Sequence, residues 1–458
     1  MDSATSLPFL LSLFQLTNVL FACAFGACIG SLINVLVYRM PLGLGVVTPP
    51  SRCPSCETQL TWRENIPIVG WILLRGRCRF CRSPVSIEYP IVELVVALIF
   101  GAVYLKCYSE GTFLWISFDR LEPAWAWAGF GLSSPMFISI LVLISCLVTA
   151  TIIDARTFQI PLVLTWVPTA AALIAHPVTY YIFQYSHHGG MPRRLPGWDW
   201  VIASPGPGGW AWAGAAVGGV LGLAIGNLLL YSKVFRRSFS DYEAWATSSM
   251  SPQPPEASGE ESTDVTPKPL NEQPDLTDPA KWLEYPHARR EMVRELIFLA
   301  PCIGLALAGA AIAIKIGGPW TFDVLTGDHT PARSLPPIVS VVCSVLMGYL
   351  IGGGLVWLWR LLGTFYKGIE ALGLGDVHLM AAVGACLGWP TAVLGFFAAA
   401  FVGVFWAVFS WPFTRRFSKQ LPFGPYLAIG TMLVWYFHPW VEQLLGWILR
   451  MEGPLRFP

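Results

Sequence analysis

Charge is what this sequence has least of. Only 57 of its 458 residues are Lys, Arg, Asp or Glu, 12%, against roughly 25% in a soluble globular protein. Hydrophobic residues reach 54% and mean hydropathy is +0.56. Three soluble domains, the expectation at roughly 150 residues each, are therefore excluded, and the chain reads as an all-α polytopic membrane protein of about 8–10 transmembrane helices. The net charge of +1 carries no polyanion-binding signal, so nucleic acid is not an expected partner. Cysteine is sparse as well. Eleven are too few for a disulfide scaffold of this length, and the odd count leaves at least one unpaired. The start, MDSATS, has no basic residue, and the apolar run after it is far longer than the roughly 7–15 residues of a secretory signal core. That first span is expected to stay in the protein. A glycine-rich cofactor fingerprint is also missing.

The charges present are unevenly placed. Residues 39–93 and 232–295 hold 31 of the 57. Between and around them, apolar runs of bilayer length fall at 8–38, 90–107, 135–153, 162–183, 208–231, 296–316, 337–362, 371–388, 391–411 and 423–437. Basic residues favour cytoplasmic loops. The seven Arg after the first run (Arg39, Arg52, Arg63, Arg75, Arg77, Arg79 and Arg82) put that loop inside and the N-terminus outside. Alternation then puts Lys233, Arg236 and Arg237 inside, and Arg415, Arg416 and Lys419 inside as well.

Four regions follow: 1–107, with the first span, a cysteine loop and the second span; 108–184; 185–335; and 336–458. Within the third, 240–285 reads as a disordered cytoplasmic linker, because 251–280 is rich in Pro and acidic residues and has no Phe, Trp or Tyr. The segment from Lys281 is expected to begin a basic amphipathic helix on the membrane surface. Gly214, Gly218, Gly222 and Gly226 form a small-residue stripe, expected to serve helix packing.

Cys53-Pro-Ser-Cys56 and Cys78-Arg-Phe-Cys81 repeat a CxxC pair across 21 residues. Two such knuckles complete a tetrahedral four-thiolate site for Zn2+, with no open coordination position, so the metal would be structural. A cytoplasmic loop keeps its thiols reduced. A disulfide or redox pair, or four cysteines with no joint role, are the alternatives. The other seven cysteines lie in or near apolar runs and read as small buried hydrophobes.

Two aspartates stand at the edges of spans. Asp154 closes ISCLVTATIID, and Asp376 sits in GLGDVHLM between Gly373, Gly375 and His378. With the orientation above, both lie near the cytoplasmic face. Two carboxylates brought together share a proton, one acting as base on water and the other as acid, which is aspartic-protease chemistry. Interfacial helix caps, or a proton or cation relay, would use the same pair. Glu93 and Glu370 are further candidates that also read as local ion-pair partners. His378 either tunes Asp376 or faces water.

These residues resemble a known family. GSLINVLVYRMP (30–41), CPSC, CRFC, EYPIVELV (88–95), the Asp154 segment ending in Ile160-Pro161, GIEALGLGDVHLMAAVGACLGW (368–389) and LPFGPYLAIG (421–430) resemble, in order, the type 4 prepilin peptidases, bacterial GxGD aspartic proteases that also act as N-methyltransferases. The resemblance implies that Asp154 and Asp376 are the catalytic pair and that the 39–90 loop is associated with metal and methyl transfer. It implies cleavage of type IV prepilin or pseudopilin leaders at the cytoplasmic face of the bacterial inner membrane, with S-adenosylmethionine as methyl donor. Two positions depart from the family pattern: Leu162 stands where Asp is frequent, and His378 where Lys is usual. The aspartates stand 222 positions apart, which makes 185–335 look like an insertion, and an even number of added spans keeps Asp376 on the same side. The rival readings are an ion-coupled transporter and a non-enzymatic zinc scaffold of pilus assembly.

Overall fold

The computed structural model describes residues 3–48, 50–109, 111–113, 116–118, 129–185, 202–205, 208–241, 286–322, 329–414 and 422–451, together with 123, 125, 126 and 245. Each expected apolar run is a helix: α1 Ser3–Arg39, α3 Glu88–Tyr108, α4 Phe130–Thr157, α5 Val163–Tyr185, α6 Trp210–Tyr231, α7 Ala288–Ile316, α8 Pro337–Lys367, α9 Leu374–Leu387, α10 Trp389–Thr414 and α11 Gly424–Tyr436. Two helices lie outside the spans, α2 Val69–Leu73 in the cysteine loop and α12 His438–Ile448 after α11. Among the described residues, seven helices are long and apolar enough to cross a membrane: α1, α3, α4, α6, α7, α8 and α10. Thr, Tyr, His and Pro residues lower the apolarity of α5, while α9 and α11 are only 14 and 13 residues long. The protein is a multi-pass helical membrane protein.

Two small antiparallel hairpins were not expected. β1 (Gly111–Phe113) pairs with β2 (Ile116–Phe118), Thr112 opposite Ser117, and β3 (Trp320–Phe322) pairs with β4 (His329–Pro331), Thr321 opposite Thr330. Both hairpins fall in loops that alternation puts outside. The linker 251–280 and the basic residues Arg415, Arg416 and Lys419 lie outside the described residues.

The main core joins α1, α3, α4, α5, α8, α9, α10 and α11. Close approach is made possible by glycine. In α8 and α9, Gly348 and Gly384 each stand against the other's carbonyl, so neither position has space for a Cβ. At the outer end, Lys106 of α3 donates to the Tyr436 carbonyl of α11 at 2.9 Å and lies over the Trp435 and Tyr436 rings. The pair α6 and α7 packs chiefly on itself and leans on α8. Its glycine stripe is packing, as expected: a Cβ at Gly218 would run into the Leu305 carbonyl, and one at Gly222 into that of Pro301.

One expectation fails here. The described part of the segment after Lys281 is not a separate surface helix; from Ala288 it runs unbroken into the span as α7. Its charges explain why. Glu291 and Glu295 are buried and paired with Arg294 and Arg360, so this turn is held against α8 and the 239–241 segment and not against lipid headgroups.

Candidate active site

The cysteine loop is built as a repeat of one turn. The Cys53 amide donates to the Thr58 carbonyl and the Cys78 amide to the Ser83 carbonyl; Glu57 N–H returns to Cys53 O, and Arg82 N–H to Cys78 O, all at 2.9–3.0 Å. Glu57 and Arg82 both take positive φ, 55° and 58°, which closes each turn one residue after its second cysteine. The four Sγ atoms of Cys53, Cys56, Cys78 and Cys81 all lie within 4.8 Å of one another, and no disulfide joins them. Cys53 and Cys81 are 3.8 Å apart. Four thiolates about 2.3 Å from a central Zn2+ stand about 3.8 Å apart, so the donor set and its spacing fit the metal. Backbone N–H groups of Cys56 and Ser55, with Ser83, bring the Cys53 thiol down to about 6, which favours the thiolate a metal needs.

The loop is fastened to the membrane helices by acidic side chains. Glu93 is buried in α3 and accepts the Ile68 N–H at 2.7 Å, at the start of α2. Glu64 accepts from Arg79 at 2.9 Å and from the Thr61 hydroxyl; together they hold its carboxyl down to about 2. Arg156 in the last turn of α4 meets Glu88 at the start of α3, 2.7 Å away. That contact sets the loop-side ends of these two helices, and hence Asp154, at one level.

Asp154 and Asp376 are both nearly buried, 6% and 7% exposed. Asp154 ends α4, which stops where Phe158 turns left-handed. Its Oδ2 accepts the Gly424 N–H at 3.1 Å, at the first turn of α11. Asp376 is in the first turn of α9, and its Oδ2 accepts the Gly373 N–H at 3.2 Å. Each carboxylate is thus held by one helix-terminal amide. Among the described residues, neither second oxygen has a hydrogen-bond partner. The helices that carry or hold the two groups, α4, α9 and α11, pack on one another. Two glycines permit this approach. A Cβ on Gly375 would stand 2.9 Å from Ile160 Cβ, and one on Gly424 would stand 2.6 Å from Asp154 Oδ2.

Of the remaining candidates, Gly373 belongs to this arrangement through its amide. Glu370 is ion-paired with Arg360 at 2.5 Å, whereas Glu93 accepts a backbone N–H, from Ile68, and is in no ion pair among the described residues. His378 is half-buried and, among the described residues, has no bond to Asp376. Gly424 is the residue that sequence reasoning missed. Its signal was present in LPFGPY, a glycine before the proline that opens α11.

Residues 24–107 match the bacterial peptidase A24 N-terminal domain, and residues 297–408 match the type IV leader peptidase family. The chain resembles the type IV leader peptidases. The prepilin leader peptidase/N-methyltransferase of Myxococcus xanthus is 39% identical over 155 residues, covering 34% of this chain and 39% of the relative. That of Pectobacterium carotovorum is 33% identical over 157 residues, 30% of this chain and 48% of the relative. That of Neisseria gonorrhoeae is 29% identical over 164 residues, 31% and 49%. The chain spans less than half the length of each of these relatives. No solved structure matches it. In leader-peptidase terms, the four cysteines fall in the N-terminal match and Asp376 in the second. Asp154 lies between the two, and the second match begins inside the 185–335 stretch.

The relatives' second activity calls for a methyl donor, which the described cavities do not fit. An adenosine site needs an acceptor for the ribose hydroxyls, commonly a carboxylate. The cavity of about 630 Å3 beside Gly446, Trp447 and Arg450 and the apolar one of about 140 Å3 beside Thr169, Leu173 and Tyr349 both lack one.

Proposed function

We propose that this protein is a membrane aspartic endopeptidase that removes basic leaders from type IV prepilins or pseudopilins at the cytoplasmic face of a bacterial inner membrane. The observation that supports the reading is the burial of Asp154 and Asp376 at helix ends, each held through one oxygen by a helix-terminal amide with the other oxygen uncommitted; on this reading the two act as a pair. Such a pair shares one proton. The ionised member takes a proton from water as it attacks the scissile carbonyl, while the protonated member donates its proton to the carbonyl oxygen; on collapse of the diol the first member passes the proton it took to the leaving amine, and the second recovers one from the diol hydroxyl.

Depth supports the same reading. At 1.5 Å per residue, α9 and α11 are about 21 and 20 Å long, short of the roughly 30 Å hydrocarbon core. Helices this short would set the two aspartates below the cytoplasmic surface, where a peptide bond at the edge of an apolar substrate helix could meet them together with water. A leader carrying basic residues would remain in the cytoplasm and present the junction at that depth. The four cysteines would hold structural Zn2+ that folds the 39–87 loop; the metal supplies a cross-link between the two knuckles and takes no part in hydrolysis. The relatives are named as N-methyltransferases as well, and N-methylation of the new terminus is the second activity proposed.

Mass spectrometry of a co-expressed prepilin reads the cut position and any added methyl group together. Cleavage immediately before the apolar helix is expected. An uncut precursor with folded protein present in the membrane would sink the proposal.

A further inference from the structure

One buried cationic group is not used by the peptidase mechanism. Arg360, near the cytoplasmic end of α8, has a side chain only 2% exposed. A guanidinium at such a position is costly unless its donors are all satisfied. They are met from two directions. On one side, Nε and Nη2 donate to the Glu295 carboxylate of α7 at 3.1 and 2.9 Å; Glu295 is itself 4% exposed and accepts Trp357 Nε1–H at 2.7 Å. On the other, Nη1 donates to Glu370 at 2.5 Å and to the Leu372 carbonyl.

Glu370 and Leu372 belong to the short connection between Gly368, which caps α8, and Gly373. The Ala371 N–H in the same connection is held by Thr364 Oγ1 at 3.1 Å. Leu372 is followed by Gly373, whose N–H binds Asp376. Glu295, Arg360, Leu372, Gly373 and Asp376 therefore form one chain of contacts, and its far end lies on α7. That end is fixed in turn: Arg289 Nε donates to the Phe365 carbonyl at 3.1 Å, and Glu291 accepts the Phe239 N–H at 2.8 Å. Glu295 lies just before the segment matched to the leader peptidase family, while Arg360 and Glu370 lie within it.

We propose that Arg360 is a positioning residue for Asp376, and that Glu295 of α7 orients it, so that the 185–335 stretch contributes to setting the active site. This rests on the peptidase reading. Arginine suits the task because a planar fork with five donors bridges three acceptors at fixed angles, which an ammonium does not. Glu295→Gln removes the counter-charge while keeping the shape. The guanidinium then keeps only its loop partners firmly, and the loop loses its reference to α7. Misplacement of a reacting group by about 1 Å costs about a hundredfold in rate.

The test uses the full-length protein, purified in detergent, and a synthetic peptide with a basic leader ending in Gly before an apolar helix. Rates are expressed per monodisperse folded molecule. Glu295→Gln is expected to lower kcat about ten- to a hundredfold at unchanged KM, and Arg360→Lys to do the same although it keeps the charge. A kcat within twofold of wild type in both variants, with only yield or thermal stability reduced, overturns the proposal and leaves the peptidase reading intact. Should Glu295→Gln not fold, Trp357→Phe, which removes one bond to Glu295 and keeps the ring, is expected to lower kcat about threefold at unchanged KM; no change overturns the proposal. Wild-type protein that leaves the leader uncut, or Asp376→Asn that cuts it normally, overturns the peptidase reading and this proposal with it.

Discussion

Gly424 holds Asp154 without having a side chain to do it with. Its amide donates to Oδ2, and the space where a Cβ would go is already occupied by that same oxygen, 2.6 Å away. Gly424→Ala therefore pushes on the carboxylate itself. A strained insertion into a packed site costs about 1–3 kcal/mol, and the expected outcome is a fold that survives with leader cleavage at least tenfold slower. Circular dichroism and a peptide cleavage assay on the same preparation check it. Normal cleavage by the Ala variant would mean that the amide contact does not position Asp154. At this scale the sequence was most legible where charge was scarcest: an Asp within an apolar run is conspicuous. A backbone N–H supplied from 270 residues away leaves at most a glycine before a proline, with nothing to point to its partner, and the pairing of Glu295 with Arg360 leaves no mark in composition or pattern.

Among the elements, the cysteine loop and the two short helices carry different burdens. The loop has almost no apolar core of its own; Trp62, Ile72, Leu73 and Phe80 are all exposed. Its order depends on the two repeated turns and whatever joins them. Purified protein is expected to hold about one Zn2+ per chain. Cys53→Ser should release it and make residues 39–87 the first site of protease cutting. Metal analysis with limited proteolysis reads both, and metal-free protein with a protease-resistant loop would contradict the structural-zinc reading. The spans themselves were readable from apolar run length alone, since every expected run is a helix. What run length did not reveal is that α7 begins eight residues before its apolar run, at Ala288. The charges that suggested a surface helix are instead paired internally, and pairing between distant segments is invisible to a local pattern.

Across the whole molecule, sidedness is the claim that everything else depends on. Arg-rich loops are expected to put 39–87 and 232–287 inside, and both aspartates come to that same side if the less apolar α5 and the short α9 and α11 cross along with the seven long helices. Single-cysteine labelling, in a background that retains the four loop cysteines, is expected to protect residues near 60 and 235 from an impermeant reagent in intact cells and to label residues near 112 and 330. Labelling of the 39–87 loop from outside would invert the molecule and remove the aspartates from the proposed substrate junction. Even an insertion as long as 185–335 preserves this arrangement if it adds an even number of spans, which α6 and α7 do.

The central claim is that Asp154 and Asp376 act as one unit, and the cleavage rate of the double variant tests it most directly. Removing one member of an acid–base pair costs about 10²–10⁴-fold, and residues that act together are not additive. Asp154→Asn, Asp376→Asn and the double variant are therefore expected to be slowed to nearly the same residual rate, with leader binding retained. Either single variant cleaving at the wild-type rate, or a double variant slowed by the product of two independent losses, would contradict the account.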